Sequence, residues 1–91
     1  MLDKRNFYIK GEWVPPLIPK DLEVINPSNE QVCAVISLGD SADTNAAVQA
    51  AKQAFPVWSK TTKEEKITLL EKLYEIYKSR WSDMSATISM E

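Results

Sequence analysis

Residues 22–37, LEVINPSNEQVCAVIS, predict a β-hairpin that leads directly into a helix. Two runs rich in β-branched residues flank residues 26–29, NPSN, which are residue types typical of turns. In the second run Val32, Ala34 and Ile36 alternate with a more mixed set of residues. One face of this strand is therefore predicted to be apolar, and the other only partly covered.

A helix is predicted next, for about residues 41–58, SADTNAAVQAAKQAFPVW. Asp40 or Ser41 provides the N-cap, and Asp43 lies in the first turn, where the helix dipole favours a negative charge. Alanines dominate one face, so this helix is expected to approach its neighbour closely. Pro56 is expected to end or distort the last turn.

Another hairpin is predicted upstream, at about residues 7–14, FYIKGEWV. Lys10 and Gly11 form its turn, because glycine adopts a positive φ without a steric penalty. Pro15 and Pro16 end the second strand, since proline cannot donate a hydrogen bond to a sheet.

A second helix is predicted for about residues 62–90, after the capping-box signature TKEE at residues 62–65. Apolar residues then recur at steps of three and four, which indicates one continuous apolar face. This face, named the helix stripe below, consists of Ile67, Leu70, Tyr74, Tyr77, Trp81, Met84 and Ile88. The charged residues off the stripe are expected to be solvated. Two β-hairpins followed by two α-helices make the predicted fold class α+β.

The composition excludes several classes of function. Eleven basic and 13 acidic residues give a net charge of -2 without a basic cluster, so no nucleic-acid partner is expected. No apolar run approaches the roughly 18 residues that span a bilayer, so no membrane partner is expected. The single cysteine, Cys33, fits a reducing cytoplasm. The chain has no histidine, the commonest general base and zinc ligand.

The order of these motifs resembles the opening segment of the aldehyde dehydrogenase superfamily. Members begin with an aromatic-Ile-x-Gly-x-Trp-Val hairpin, here YIKGEWV at residues 8–14. A hairpin with Asn-Pro follows, here Asn26-Pro27. The helix motif Ala-Val-x-Ala-Ala-x-x-Ala-Phe-x-x-Trp is complete here at residues 47–58, AVQAAKQAFPVW. The resemblance covers nearly the whole chain, from about residue 7 onward.

The resemblance implies that residues 1–91 are the N-terminal part of the cofactor-binding domain of a larger α/β, Rossmann-like enzyme. Such enzymes oxidise an aldehyde to a carboxylic acid through a cysteine thiohemiacetal and hydride transfer to NAD or NADP. Their usual state is a dimer or tetramer. We expect the chain to stop before the cofactor loop and the catalytic cysteine, and therefore to be inactive alone.

No catalytic, cofactor-binding or metal-binding side chain is predicted within this segment. Gln31-Val32-Cys33 resembles the Gly-Gln-x-Cys context of the family nucleophile only superficially, since Glu30 replaces the glycine and Cys33 lies in a predicted strand. Gly11 and Gly39 are too far apart to form a phosphate-binding loop. The resemblance implies one possible contact, between the backbone carbonyl of Ile25 and a monovalent cation in the whole enzyme.

The helix stripe is wider than one helix and two hairpins can cover, and surplus apolar surface marks an interface. Its expected partner is the remainder of the enzyme or a second copy of the chain. The alternative function is a free-standing α+β module that binds a partner protein through the same stripe.

Overall fold

A computed structural model describes all 91 residues and contains five strands and three helices. The strands are β1 (Leu2–Lys4), β2 (Phe7–Ile9), β3 (Glu12–Val14), β4 (Asp21–Asn26) and β5 (Gln31–Ser37). The helices are α1 (Ser41–Trp58), α2 (Lys63–Ser79) and α3 (Trp81–Met90). The predicted α+β class is confirmed.

The β2–β3 hairpin has a two-residue turn at Lys10 and Gly11, where the sequence predicts it. Their φ angles are 55° and 77°. Two consecutive positive φ angles define a type I′ turn, whose twist matches that of antiparallel strands. Tyr8 pairs with Trp13 across the strands, and their ring centroids lie 5.0 Å apart.

The larger sheet has the strand order β1-β5-β4, and β4 and β5 form the predicted antiparallel hairpin. Its loop is closed by a hydrogen bond from the Glu30 N–H to the Asn26 carbonyl, at 2.8 Å. The register shifts between Val24 and Ile25, which pair with Ala34 and Val32. Cys33 is thus the extra residue of a β-bulge.

Strand β1 was not predicted from the sequence. It pairs in parallel with β5, with Leu2 opposite Ala34. The Ser37 hydroxyl donates to the Arg5 carbonyl at 2.7 Å, directly after β1. Three residues are too few to show an alternating pattern, and the pairing partner of this strand lies about 30 residues away, so the sequence pattern does not reveal it.

Helix α1 begins with a capping box formed by two aspartates. The Asp40 side chain accepts from the Ala42 and Asp43 N–H groups at 3.0 and 3.1 Å. Asp43 accepts in return from the Asp40 N–H at 3.2 Å. Pro56 does not end the helix, which continues to Trp58. Proline lacks an N–H donor and its ring crowds the carbonyl four residues earlier, yet the bond from Ser59 N–H to the Phe55 carbonyl is formed at 2.8 Å.

The prediction of one helix over residues 62–90 was wrong, because the helix breaks at Arg80. Arg80 has φ -112° and ψ 19°, outside the helical region. The Ser79 hydroxyl donates to the Ile76 carbonyl at 2.7 Å, competing with the backbone N–H groups for that acceptor. No glycine or proline marks this break, so helix-stop rules do not detect it.

Only three residues are buried, namely Ala34, Ser37 and Asp43. The radius of gyration is 16.9 Å, against about 12 Å for a compact chain of this length. Helix α1 contacts β2, and α3 follows α2 directly after Arg80. The elements are thus held in an open arrangement 47 × 35 × 15 Å in extent, with no central core.

Candidate functional site

Cys33 occupies the β-bulge of strand β5 and is half-buried. Its Sγ lies 3.4 Å from the Val24 carbonyl oxygen, to which the thiol donates. The position is that of a small strand residue engaged with the neighbouring strand. A catalytic thiolate needs a nearby cation or helix N-terminus, and no charged side chain is hydrogen-bonded to this thiol.

The glycines and helix starts of this segment do not fit a dinucleotide. Gly11 lies in the hairpin turn, and a side chain at Gly39 would meet the Phe7 ring at 3.3 Å. At the start of α1, the Asp40 carboxylate already accepts from the N–H groups that a phosphate would use. At the start of α2, Thr62 accepts from the Glu65 N–H at 3.2 Å. We therefore assign no step of a cofactor reaction to these residues.

Ile25 lies at the register shift between β4 and β5. The ladder is irregular at this position, so the backbone here departs from regular pairing. The contact of its carbonyl with a monovalent cation stays a prediction.

Charged side chains on α2 lie at the surface. The Glu75–Lys78 pair, with 3.4 Å between Oε1 and Nζ, is exposed on both sides. Such pairs contribute little to stability. No cluster of three or more carboxylates or thiols lies close enough together to hold a metal ion.

A polar cleft of about 620 Å³, which sequence reasoning missed, lies beside β1. Arg5 contacts two carboxylates there, with Nη2 at 2.8 Å from Asp3 and Nη1 at 3.4 Å from Asp21. The hydrogen bond from Arg5 lowers the pKa of Asp3 below its ordinary value. Trp13 and Pro16 line the opposite side. Through these two ion pairs, Arg5 connects β1 to β4.

The helix stripe is exposed along its whole length. Its seven exposed fractions range from 42% at Tyr77 to 66% at Ile88. Tyr74, Tyr77 and Trp81 have the spacing of core residues but are 60%, 42% and 62% exposed in these 91 residues. The prediction that the stripe exceeds what the chain can cover agrees with these exposed fractions.

A groove of about 300 Å³, which we name the elbow groove, extends along α2 and α3 past Arg80 and shares Tyr77 and Met84 with the helix stripe. Its lining consists of Leu73, Ile76, Tyr77, Arg80, Asp83, Met84 and Thr87. Arg80 Nε lies 3.3 Å from Asp83 Oδ2 at its polar end. Tyr77 and Trp81 form an edge-to-face pair with centroids 5.8 Å apart. The groove offers an apolar floor with a charged end.

The chain is similar to known aldehyde dehydrogenases in both sequence and structure. The profile of the aldehyde dehydrogenase family matches residues 13–91. A 3-succinoylsemialdehyde-pyridine dehydrogenase of a Pseudomonas species is 40% identical over the whole chain. A putative aldehyde dehydrogenase of Staphylococcus aureus (strain bovine RF122 / ET3-1) is 36% identical over the whole chain. The chain spans 19% of the length of each of these two relatives.

Two solved structures have the same arrangement of elements. The aldehyde dehydrogenase of Bartonella henselae superimposes with a TM-score of 0.98 at 53% identity, over 99% of this chain and 19% of that one. A variant of aldehyde dehydrogenase C from Pseudomonas syringae, complexed with NAD+ and octanal, gives 0.93 at 36% identity. That match covers 94% of this chain and 18% of that chain.

The fold and its motifs define a segment of an oxidoreductase. The chain belongs to the aldehyde dehydrogenase family, and its resemblance to the N-terminal segment of that family is confirmed. None of its helices combines the length and the apolar character needed to cross a bilayer.

Proposed function

We propose that residues 1–91 are the N-terminal part of the cofactor-binding domain of an NAD(P)-dependent aldehyde dehydrogenase. The observation that carries this proposal is the superposition on the Bartonella henselae enzyme at a TM-score of 0.98. The whole enzyme converts an aldehyde to a carboxylic acid, with a cysteine nucleophile and a nicotinamide cofactor outside these residues. The role of this segment is structural, and the isolated chain is inactive.

A chimera tests this function. The corresponding segment of the Bartonella henselae enzyme is replaced by these 91 residues, and formation of reduced nicotinamide is followed with an aldehyde substrate. We expect an active chimera and an inactive isolated chain. A folded chimera that neither binds NAD or NADP nor oxidises an aldehyde would contradict the proposal.

The cofactor of the whole enzyme is NAD or NADP in this proposal. A related enzyme from Pseudomonas syringae was solved with NAD+, which favours NAD as the first cofactor to assay. The chimera cannot distinguish the two, because the assay would report the cofactor choice of its Bartonella henselae portion.

The Ile25 carbonyl is proposed as one ligand of a monovalent cation in the whole enzyme. Its position in the edge strand β4, at the register shift with β5, supports this proposal, because an edge strand presents backbone carbonyls without a strand partner. Thermal unfolding of the chimera in Na⁺, K⁺ and a bulky organic cation tests it. Equal melting temperatures in all three salts would remove the cation site.

A second candidate function is a small interaction module in which the helix stripe joins two copies of the chain. The exposed stripe favours it, since monomeric proteins rarely leave a long apolar face uncovered. Sedimentation equilibrium together with near-ultraviolet circular dichroism tests it. A folded, tight dimer supports the module, whereas a species without aromatic dichroism supports the enzyme segment.

We also propose a cytoplasmic location, supported by the free thiol of Cys33. Fractionation of cells that express the natural protein tests this location.

A further inference from the structure

No further inference is drawn: the strongest candidate, the polar cleft beside β1 that Arg5, Trp13 and Pro16 help to line, has its Asp3 and Asp21 carboxylates already paired with Arg5, and nothing else in the structure points to a ligand that it would bind.

Discussion

At the scale of single residues, Asp43 connects three parts of the chain. Its carboxylate accepts from the Leu17 N–H at 3.0 Å and from the Asp40 N–H at 3.2 Å. It is only 7% exposed, although it is charged. Burial of a carboxylate is tolerated when hydrogen bonds satisfy it. One side chain thus fixes both the start of α1 and the course of the proline-rich linker.

The first prediction concerns this carboxylate. Asp43→Ala leaves two N–H groups without their acceptor and is expected to cost about 1–3 kcal/mol. Asp43→Asn keeps an acceptor oxygen and is expected to cost less. Urea unfolding of the active chimera measures both costs, and hydrogen exchange at the Leu17 amide reports the local loss. An unchanged unfolding midpoint for Asp43→Ala would contradict this role.

The second prediction concerns the type I′ turn. Gly11→Ala places a side chain at a φ of 77° and is expected to destabilise the chimera by about 1–2 kcal/mol. Lys10→Asn introduces a residue that tolerates positive φ, so it is expected to stabilise by up to about 1 kcal/mol. Urea unfolding of both variants measures the two changes in the free energy of unfolding. If both substitutions changed the free energy of unfolding in the same direction, the positive φ angles of the turn would not explain its stability.

At the scale of elements, the attachment of β1 depends on electrostatics as well as on pairing. Arg5, which directly follows β1, bridges Asp3 within β1 and Asp21 at the start of β4. All three side chains are about half-exposed, so their attraction is screened by solvent and salt. Protonation of Asp3 at low pH is therefore expected to weaken the attachment of β1 only modestly.

The third prediction follows from the lowered pKa of Asp3. A carboxyl whose pKa is lower in the folded state stabilises that state above its unfolded pKa, about 3.9. This contribution is lost as the pH falls through the lower folded value. An NMR titration of the Asp3 carboxyl should shift toward 3.9 in Arg5→Ala and in 1 M salt. Arg5→Lys should give an intermediate value, and identical titrations would exclude the bridge.

The fourth prediction concerns the break between α2 and α3. Ser79→Ala removes the hydroxyl bond to the Ile76 carbonyl and should make the helix more continuous. We expect slower hydrogen exchange at the Arg80 and Trp81 amides. Ser82→Ala gives the same gain in helix propensity, a few tenths of a kcal/mol, without changing the break. Equal exchange in both variants would show that Ser79 does not cause it.

At the scale of the whole molecule, these 91 residues bury too little side-chain surface to form a core of their own. Trp81 is 62% exposed, although its spacing is that of a core residue. Its ring contacts Tyr77 within the same face. Burial by other polypeptide would convert this exposed pair into part of a core.

The fifth prediction compares Trp81→Ala in two settings. In the isolated chain the loss in unfolding free energy is expected to be below about 1 kcal/mol, because little burial is lost. In the chimera it is expected to be about 3–5 kcal/mol, as for a large side chain in a core. Urea unfolding measures both values. Equal small losses would show that the stripe stays exposed in the enzyme.

Elements whose signals are local could be predicted from the amino-acid sequence. Lys10-Gly11 predicted a turn because positive φ is a property of two residues, and Asp40 predicted a helix start through its own side chain. The motif at residues 47–58 indicated the family because it is a contiguous stretch of sequence. Other features depend on the folded chain. Strand β1 and the link from Asp43 to Leu17 need partners that are distant in sequence, whose choice no local pattern encodes. The break at Arg80 goes with a local contact from Ser79 to Ile76 that helix-stop rules do not include. Hydrophobic spacing specifies that a face is apolar, whereas its burial depends on the polypeptide that packs against it.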